Sequence, residues 1–314
     1  MSDRRGLAPV EIGIRARRNG RYSKAFTLIE LLVVIAIIAL LMSILMPAIN
    51  RAKKQARSIG CRARLRSWGL LFKLYTDDSD GYFNEGWGYA QHHSGNAEWG
   101  LWMNALRPYY KDNWDMLLCP TATREMENAN DWGTFKAWFR DVSNRYRSRN
   151  EGTTKHFVGS YNINNWTNYM AGDRGGTNTR LYAEFWKNVN DATDIDYVTK
   201  KPNGRPVSTN NIPVFADGTW HDAWPRATDA PVEYPDAFGI RDTGTTGEMN
   251  HFCIDRHNGF VNFLFMDWSV RGVGLKEVWT LKWHRGYDTR GPWTKAGGVM
   301  PGNWPQWLRR YKDY

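Results

Sequence analysis

The apolar and polar residues divide the chain into two unlike parts. Residues 26–49 are apolar at every position except Thr27, Glu30, Ser43 and the helix-bending Pro47. A helix of this length measures about 36 Å, which is enough to cross a hydrocarbon core of about 30 Å. The pattern therefore predicts one membrane-spanning helix near the start of the chain.

After residue 49 the apolar residues recur at steps of three and four, with one gap of five, as on an amphipathic helix. This predicted stripe consists of Ile49, Ala52, Ala56, Ile59, Ala63, Trp68, Leu71 and Leu74. The acidic turn at 77–81 is expected to end the helix. Short aromatic segments separated by turn signals follow. They predict strands at 212–217, 259–266 and 269–273 and a short helix at 275–283.

The patterning predicts an α+β fold in which a long N-terminal hydrophobic helix packs on a small antiparallel sheet with large aromatic-rich loops. Residues 1–25 form a basic leader and 26–49 the transmembrane half of the helix. Residues 50–76 form its amphipathic half, and 77–314 form a soluble α+β headgroup.

Charge and aromatic content refine these assignments. The chain has 42 Lys and Arg against 32 Asp and Glu, of which the leader holds seven and two, so the remainder is only +5. A basic run on the amphipathic helix favours a solvated surface over nucleic-acid binding. All 17 Trp follow residue 67, and they predict either core packing or a glycan or partner surface. For such a surface the candidates are Trp293, Trp304 and Trp307.

The segment KAFTLIE at residues 24–30 resembles the processing site of type IV prepilins and type II secretion pseudopilins. The resemblance implies that prepilin peptidase cuts between Ala25 and Phe26 on the cytoplasmic face and methylates the new amine of Phe26. Ala25 departs from the usual Gly of the family, although both residues are small. Pro47 falls where pilin helices commonly carry a proline.

Glu30 is a carboxylate in an otherwise lipid-compatible helix. It costs on the order of 2.5 to 3.5 kcal/mol if it is unpaired at membrane depth. The spacing from Phe26 to Glu30 places the new amine and the carboxylate on one helix face. We expect each Glu30 to neutralise a neighbour's N-terminus and so to set the axial register of assembly.

His257 and Asp267, with nine residues between them, resemble the H-x9-D-G signature of prepilin-type proteins common in Planctomycetes and related bacteria. Trp268 replaces the Gly, which places the usual turn type in question because a Cβ resists positive φ. Three further patches are similar to that group, namely 118–120, 159–162 and 217–225.

The resemblance implies a pseudopilin-type subunit that assembles into a type II secretion pseudopilus or a pilus-like fibre. Its partners would be prepilin peptidase and other pilin or pseudopilin subunits. It would be a single-pass inner-membrane protein with the leader in the cytoplasm and the headgroup in the periplasm. Two alternatives remain open: a membrane-anchored carbohydrate-binding or adhesive module, and a competence-type pilin that handles DNA.

No catalytic fingerprint such as H-E-x-x-H, G-x-S-x-G or a P-loop is present, and we expect no enzyme activity. His257 and Asp267 stand about 30 Å apart at opposite ends of one predicted strand, so we expect neither a general-base pair nor half a metal site. By analogy with major pseudopilins, calcium is the candidate cofactor, with Asp217 and Asp222 as its ligands.

The three cysteines contain no C-x-x-C, and the sequence indicates neither a zinc ribbon nor a disulfide scaffold. Cys61 and Cys119 are a candidate disulfide, because an oxidising periplasm would permit a bridge between helix and headgroup. Cys253 would then be a free, buried thiol.

Overall fold

The computed structural model describes residues 27–86, 101–127, 131, 133–141, 156–168, 185–186, 188–196, 201–234 and 247–314. The chain divides into two compact units, Met1–Asn50 and Arg51–Tyr314. The leader and both residues of the predicted cleavage junction, Ala25 and Phe26, lie outside the described residues.

Helix α1 runs over Leu28–Asp78 and contains Pro47. Thr27 and Glu30 cap its start, because the backbone N–H of each donates to the side chain of the other. All side chains from residue 27 to residue 50 are exposed. Within the described part of the chain, α1 is the helix that is long and apolar enough to cross a membrane. The predicted helix and its end at the acidic turn are confirmed.

The second half of α1 buries one face. That face consists of Cys61, Leu65, Trp68, Gly69, Phe72 and Thr76. The predicted stripe was largely wrong, since Ile59 and Leu74 are exposed. The stripe omitted Cys61 and Leu65, which belong to the buried face. Leu65 lies in the gap of five residues between Ala63 and Trp68, so that gap marked the error.

Beyond α1, the described residues of the second unit form two short α-helices and ten strands, together with several 3-10 turns. The helices are α2 (Trp102–Ala105) and α3 (Arg107–Tyr110). The strands are β1 (Arg124–Glu125), β2 (Lys136–Asp141), β3 (His156–Gly159), β4 (Tyr161–Asn164), β5 (Thr193–Ile195), β6 (Pro202–Pro206), β7 (Pro213–Asp217), β8 (Asp222–Ala223), β9 (Phe260–Phe265) and β10 (Val270–Gly274).

The largest sheet has five strands in the order β10-β9-β7-β4-β8. Its neighbours pair antiparallel except β4 and β8, which are parallel. Strands β1 to β3 form a second sheet, and β5 and β6 form a third. The predicted strands and the α+β fold are confirmed, but the main sheet is mixed. The helix predicted at 275–283 is only the 3-10 turn Glu277–Thr280.

The main sheet separates two hydrophobic cores. On one side, Trp68 and Phe72 of α1 pack with Phe215 and Leu264. On the other, Phe263 and residues of the C-terminal segment form a second core that includes Trp283 and Trp304. Strand alternation explains the division, because Phe263 and Leu264 point to opposite faces. Helix α1 therefore contacts the sheet through aromatic packing.

The turn between β9 and β10 has a residue with a Cβ at a position of positive φ, contrary to the expectation that such a residue resists this conformation. Trp268 adopts φ of 65°. Its ring contacts Phe83 with centroids 6.3 Å apart, and Asp267 accepts hydrogen bonds from the backbone N–H and hydroxyl of Ser269. Packing of the indole therefore offsets the cost of the left-handed backbone.

Candidate functional site

Two features of the described residues bear on function. The first is the exposed apolar surface at the start of α1. The acidic residue in the first turn of α1 is Glu30. Its Oε2 accepts hydrogen bonds from the backbone N–H and the hydroxyl of Thr27, each at 2.8 Å. The carboxylate therefore already acts as a helix cap within a single subunit.

The second feature is a group of four residues from four separate segments of the second unit. Cys61, Cys119, Asp217 and His257 are all buried, and their ligand-type atoms all lie within 4.8 Å of one another. We call these four residues the buried cluster. Its four residues are far apart in the sequence, so no sequence motif identifies them as one site.

Local structure places each side chain of the buried cluster. Cys61 is on the buried face of α1, and Asp217 is the last residue of β7. Cys119 follows the 3-10 turn Trp114–Leu117, and its backbone N–H donates to the hydroxyl of Ser160 at 2.5 Å. His257 precedes a tight turn in which the next two residues, Asn258 and Gly259, have φ of 58° and 88°.

The polar atoms converge closely. The thiol of Cys61 donates to Asp217, with Sγ 3.2 Å from each carboxylate oxygen. The Nε2 of His257 lies 3.0 Å from Oδ2 of Asp217 and 3.4 Å from Sγ of Cys119. One ring nitrogen, one carboxylate and two sulfurs therefore face a common point.

Further polar groups support the cluster. The hydroxyl of Tyr161 donates to Sγ of Cys61 at 3.6 Å, and the backbone N–H of Asn262 donates to Oδ2 of Asp217 at 3.2 Å. The buried guanidinium of Arg256 lies 3.8 Å from Oδ1 of Asp217. Arg256 also donates to the carbonyl of Ser160 at 2.7 Å, so its position is fixed by backbone as well as by charge.

The cluster alters the acidity of its members. Burial acts to raise the pKa of Cys119, but hydrogen bonds with Cys61 and His257 and the charge of Arg256 outweigh it and lower this pKa to about 6. Burial, together with Cys119 and the charge of Asp217, raises the pKa of Cys61 well above its usual value. Burial alone would lower the pKa of His257, but the charge of Asp217 raises it to about 10. At neutral pH the cluster therefore holds a thiolate, a carboxylate and an imidazolium.

The structure changes the interpretation of the three cysteines. Cys61 and Cys119 come together, as the predicted disulfide requires, and their sulfurs are not bonded to each other in the structure. Cys61 directs its thiol to Asp217, and the sulfur of Cys119 lies beside His257, so the disulfide stays a prediction. Cys253 is free and buried, as predicted.

The two calcium candidates have different surroundings. Asp217 faces thiols and an imidazole, whereas calcium prefers oxygen ligands throughout. Asp222 accepts from the side chain of Asn165 at 2.7 Å and lies 3.0 Å from Nδ1 of His221. Asp222 is not among the residues that converge with Asp217.

The signature pair has separate roles. His257 contacts Asp217 and Cys119, while Asp267 accepts the hydrogen bonds of the β9–β10 turn. Sequence analysis weighed only Asp267 as a partner of His257, whereas the partners in the structure are Asp217 and Cys119. The patches at 118–120, 159–162 and 217–225 supplied the missing signal, since each contributes to the cluster or its support.

The three tryptophans proposed for a glycan or partner surface do not form an exposed aromatic surface. Trp304 is fully buried, and Trp293 and Trp307 pack half-buried against the second core. Every Trp that the structure describes is buried or half-buried. The aromatic excess in these parts of the chain therefore serves packing.

Comparisons with known proteins concern the N-terminal segment. A family model described as the prokaryotic N-terminal methylation motif matches residues 20–46. The chain is 42% identical over 62 residues to the type IV wide pilus major component PilA4 of Thermus thermophilus. That match covers 20% of this chain and 47% of the relative, so the chain spans about half the length of the relative it matches. No solved structure matches the chain.

The long apolar helix and the methylation motif define a pilin-like subunit with a helix suited to a single-pass membrane anchor. The N-terminal segment is therefore similar to type IV prepilins, in agreement with the resemblance carried by residues 24–30.

Proposed function

We propose that this protein is a pseudopilin-type subunit that assembles through α1 into a type II secretion pseudopilus or a pilus-like fibre. Prepilin peptidase cuts the chain between Ala25 and Phe26 and methylates the new amine of Phe26. The leader is cytoplasmic, the start of α1 lies in the inner membrane, and the headgroup lies in the periplasm.

The observation that carries this proposal is the apolar surface of α1. Every side chain from residue 27 to residue 50 is exposed, and nearly all are apolar. Monomeric soluble proteins rarely expose apolar patches of more than a few hundred square ångströms. Lipid before assembly and neighbouring helices after it would cover this surface. The methylation motif at 20–46 supports the same reading because it includes the processing junction.

The relative is described as a major component of a wide pilus. This description supports a fibre without deciding between a pilus and a pseudopilus. The headgroup, 77–314, is large for a minimal repeating shaft subunit, which argues against the shaft position in either kind of fibre. Fibres sheared from the cell surface would indicate a pilus, whereas a subunit retained in the envelope would indicate a pseudopilus.

Glu30 separates the fibre hypothesis from a plain membrane anchor. In one subunit its carboxylate caps α1 through Thr27. In a fibre it would also neutralise the amine of a neighbouring Phe26. Glutamine can replace glutamate in a capping box but carries no charge, so Glu30→Gln removes only the second role.

The test is expression of Glu30→Gln in a host with an active prepilin peptidase and assembly system. We expect a cut before Phe26, a stable membrane-bound subunit, and a loss of assembled protein of about 100-fold or more. The loss follows because an unpaired buried charge costs roughly 3 to 5 kcal/mol. The measurements are the N-terminal mass and the amount of subunit in sheared or crosslinked fibres.

Thr27→Ala is the matched control, because it removes the hydroxyl that takes part in the cap and keeps the charge. We expect it to assemble with only a modest deficit. Equal assembly of Glu30→Gln and the wild type would contradict the register role. An uncut N-terminus in the wild type would overturn the processing step itself.

A further inference from the structure

The four residues of the buried cluster offer the donor atoms of a transition-metal site. Two sulfurs, one imidazole nitrogen and one carboxylate oxygen converge from Cys61, Cys119, His257 and Asp217. Zn²⁺ binds these donor types in tetrahedral sites, whereas Ca²⁺ and Mg²⁺ select oxygen. We propose that these four side chains bind one Zn²⁺ ion as a structural site.

The distances fit a tetrahedral ion. With Zn–S bonds of about 2.3 Å and Zn–N or Zn–O bonds of about 2.0 to 2.1 Å, the ligand atoms of a tetrahedron stand roughly 3.3 to 3.8 Å apart. The contacts from Cys61 to Asp217 are 3.2 Å, that from Cys119 to His257 is 3.4 Å, and that from His257 to Asp217 is 3.0 Å. Three of the six ligand pairs are therefore within a few tenths of an ångström of tetrahedral spacing, and the other three lie within 4.8 Å.

The charges balance around such an ion. Two thiolates and one carboxylate carry −3, Zn²⁺ carries +2, and the buried guanidinium of Arg256 beside Asp217 supplies the remaining +1. Binding requires both thiols as thiolates and the imidazole as a neutral ring, so protons leave to solvent. A buried group of zero net charge avoids the large cost of an isolated ion in the interior.

The surroundings fit an ion that holds the fold together. All four cluster side chains are buried, so the site is filled by protein ligands and leaves no position for a substrate. Outer hydrogen bonds from Tyr161 to Cys61 and from the backbone of Asn262 to Asp217 hold two of the ligands in place.

The backbone is also shaped for close approach at this point. Gly60 precedes Cys61, Pro120 follows Cys119, and a Cβ on Gly60 would lie 3.4 Å from Cγ of Pro120. Helix α1 thus meets the loop after the 3-10 turn at van der Waals distance beside the cluster. The ion would fasten the helix to three separate segments of the headgroup.

A disulfide between Cys61 and Cys119 is the competing outcome, because both sulfurs lie within 4.8 Å of each other. Oxidation would remove two ligands and leave Asp217 and His257 as an ion pair. Zinc binding and disulfide formation therefore exclude each other, and one experiment can separate them. This test is independent of fibre assembly, because it uses the unassembled subunit.

The first experiment measures bound metal on the full chain purified in detergent without added metal or chelator. We expect about one zinc per chain by elemental analysis and unmodified thiols by mass spectrometry under denaturing conditions. After exchange with Co²⁺, we expect thiolate-to-cobalt charge-transfer absorption. A chain with no zinc that also fails to bind added Zn²⁺ or Co²⁺ after reduction would overturn the proposal, and so would a Cys61–Cys119 disulfide that persists in envelope-derived protein.

The second experiment uses a matched pair of substitutions. Cys119→Ser removes a ligand, whereas Cys253→Ser removes a buried thiol that donates to the carbonyl of Leu275. We expect Cys119→Ser to lose at least about 90% of the zinc and Cys253→Ser to keep about one per chain. Equal zinc content in both variants would overturn the assignment of the ligands.

A third variant guards against simple misfolding. Asp217→Cys keeps the negative charge and supplies a third thiolate. We expect it to retain the metal, with cobalt charge-transfer absorption about half as strong again as in the wild type. Unchanged cobalt absorption with full metal content would show that residue 217 is not a ligand.

A chelator tests the structural role. Removal of zinc from the wild type should lower the melting temperature by about 5 to 10 °C, and added Zn²⁺ should restore it. The melting temperature of Cys119→Ser should not respond to the chelator. A wild-type melting temperature that does not change when the metal is removed would contradict the structural role.

Discussion

The two halves of α1 belong to one helix but differ in what stabilises them. From residue 27 to residue 50 every side chain is exposed, whereas from Cys61 to Thr76 one face is buried by the headgroup. The first half therefore depends on lipid or on other subunits, and the second depends on packing within its own chain. Equivalent substitutions in the two halves should therefore have different consequences.

The largest effect is expected where the second half packs most tightly. Trp68 is fully buried, contacts Trp102, Tyr110 and Phe215, and donates from its indole to the carbonyl of Met116. Trp68→Ala should lower the free energy of unfolding by roughly 3 to 5 kcal/mol, because it opens a cavity in the core. Urea unfolding of the full chain in detergent, followed by near-UV circular dichroism, measures this.

Leu70→Ala is the control on the same helix, because its side chain is 61% exposed. We expect a change within about 0.5 kcal/mol. A loss below about 1 kcal/mol for Trp68→Ala would show that α1 is not fastened to the headgroup through this core.

The second test places the same charge in each half. Ile38 and Ile59 are 47% and 54% exposed on α1. Ile38→Lys should make membrane insertion less favourable by about 2.5 to 3.5 kcal/mol, because a lysine near the middle of the span must enter hydrocarbon. Ile59→Lys should change neither insertion nor the stability of the headgroup by more than about 0.5 kcal/mol.

The measurement is the fraction of each variant that remains in the membrane after alkaline extraction, together with the amount in fibres. If Ile38→Lys and Ile59→Lys remain in the membrane and in fibres equally, residue 38 is not at membrane depth. Loss of both would instead show that the apolar surface extends beyond residue 50.

The two halves of α1 also differ in how well the sequence pattern predicts their surroundings. A run of apolar residues predicts a helix and its environment without any knowledge of partners, so α1 was correctly placed. Three of the ten described strands, β7, β9 and β10, were also found, since β7 and β9 are largely apolar segments bounded by turns. Of the six buried residues of α1, the predicted stripe contained only Trp68, because the steps it followed before and after that residue pass along a neighbouring, more exposed face.

The buried cluster could not be predicted for a different reason. Its members lie at 61, 119, 217 and 257, and only the fold brings them within reach of each other. Searching for short metal motifs therefore found nothing, and the test of His257 against Asp267 considered the wrong carboxylate. The turn at Trp268 likewise required tertiary packing that local preference does not contain.

The smallest expected effect concerns two glycines on α1. A Cβ on Gly69 would lie 2.8 Å from Cδ1 of Leu264, whereas a Cβ on Gly60 would meet Pro120 only at 3.4 Å. Gly69→Ala should therefore destabilise by about 1 to 3 kcal/mol through overpacking. Gly60→Ala should stabilise by about 0.4 to 1 kcal/mol, because alanine loses less backbone entropy in a helix. Urea unfolding of both variants measures the difference, and stabilisation by both substitutions would show that the approach of α1 to β9 is looser than 2.8 Å implies.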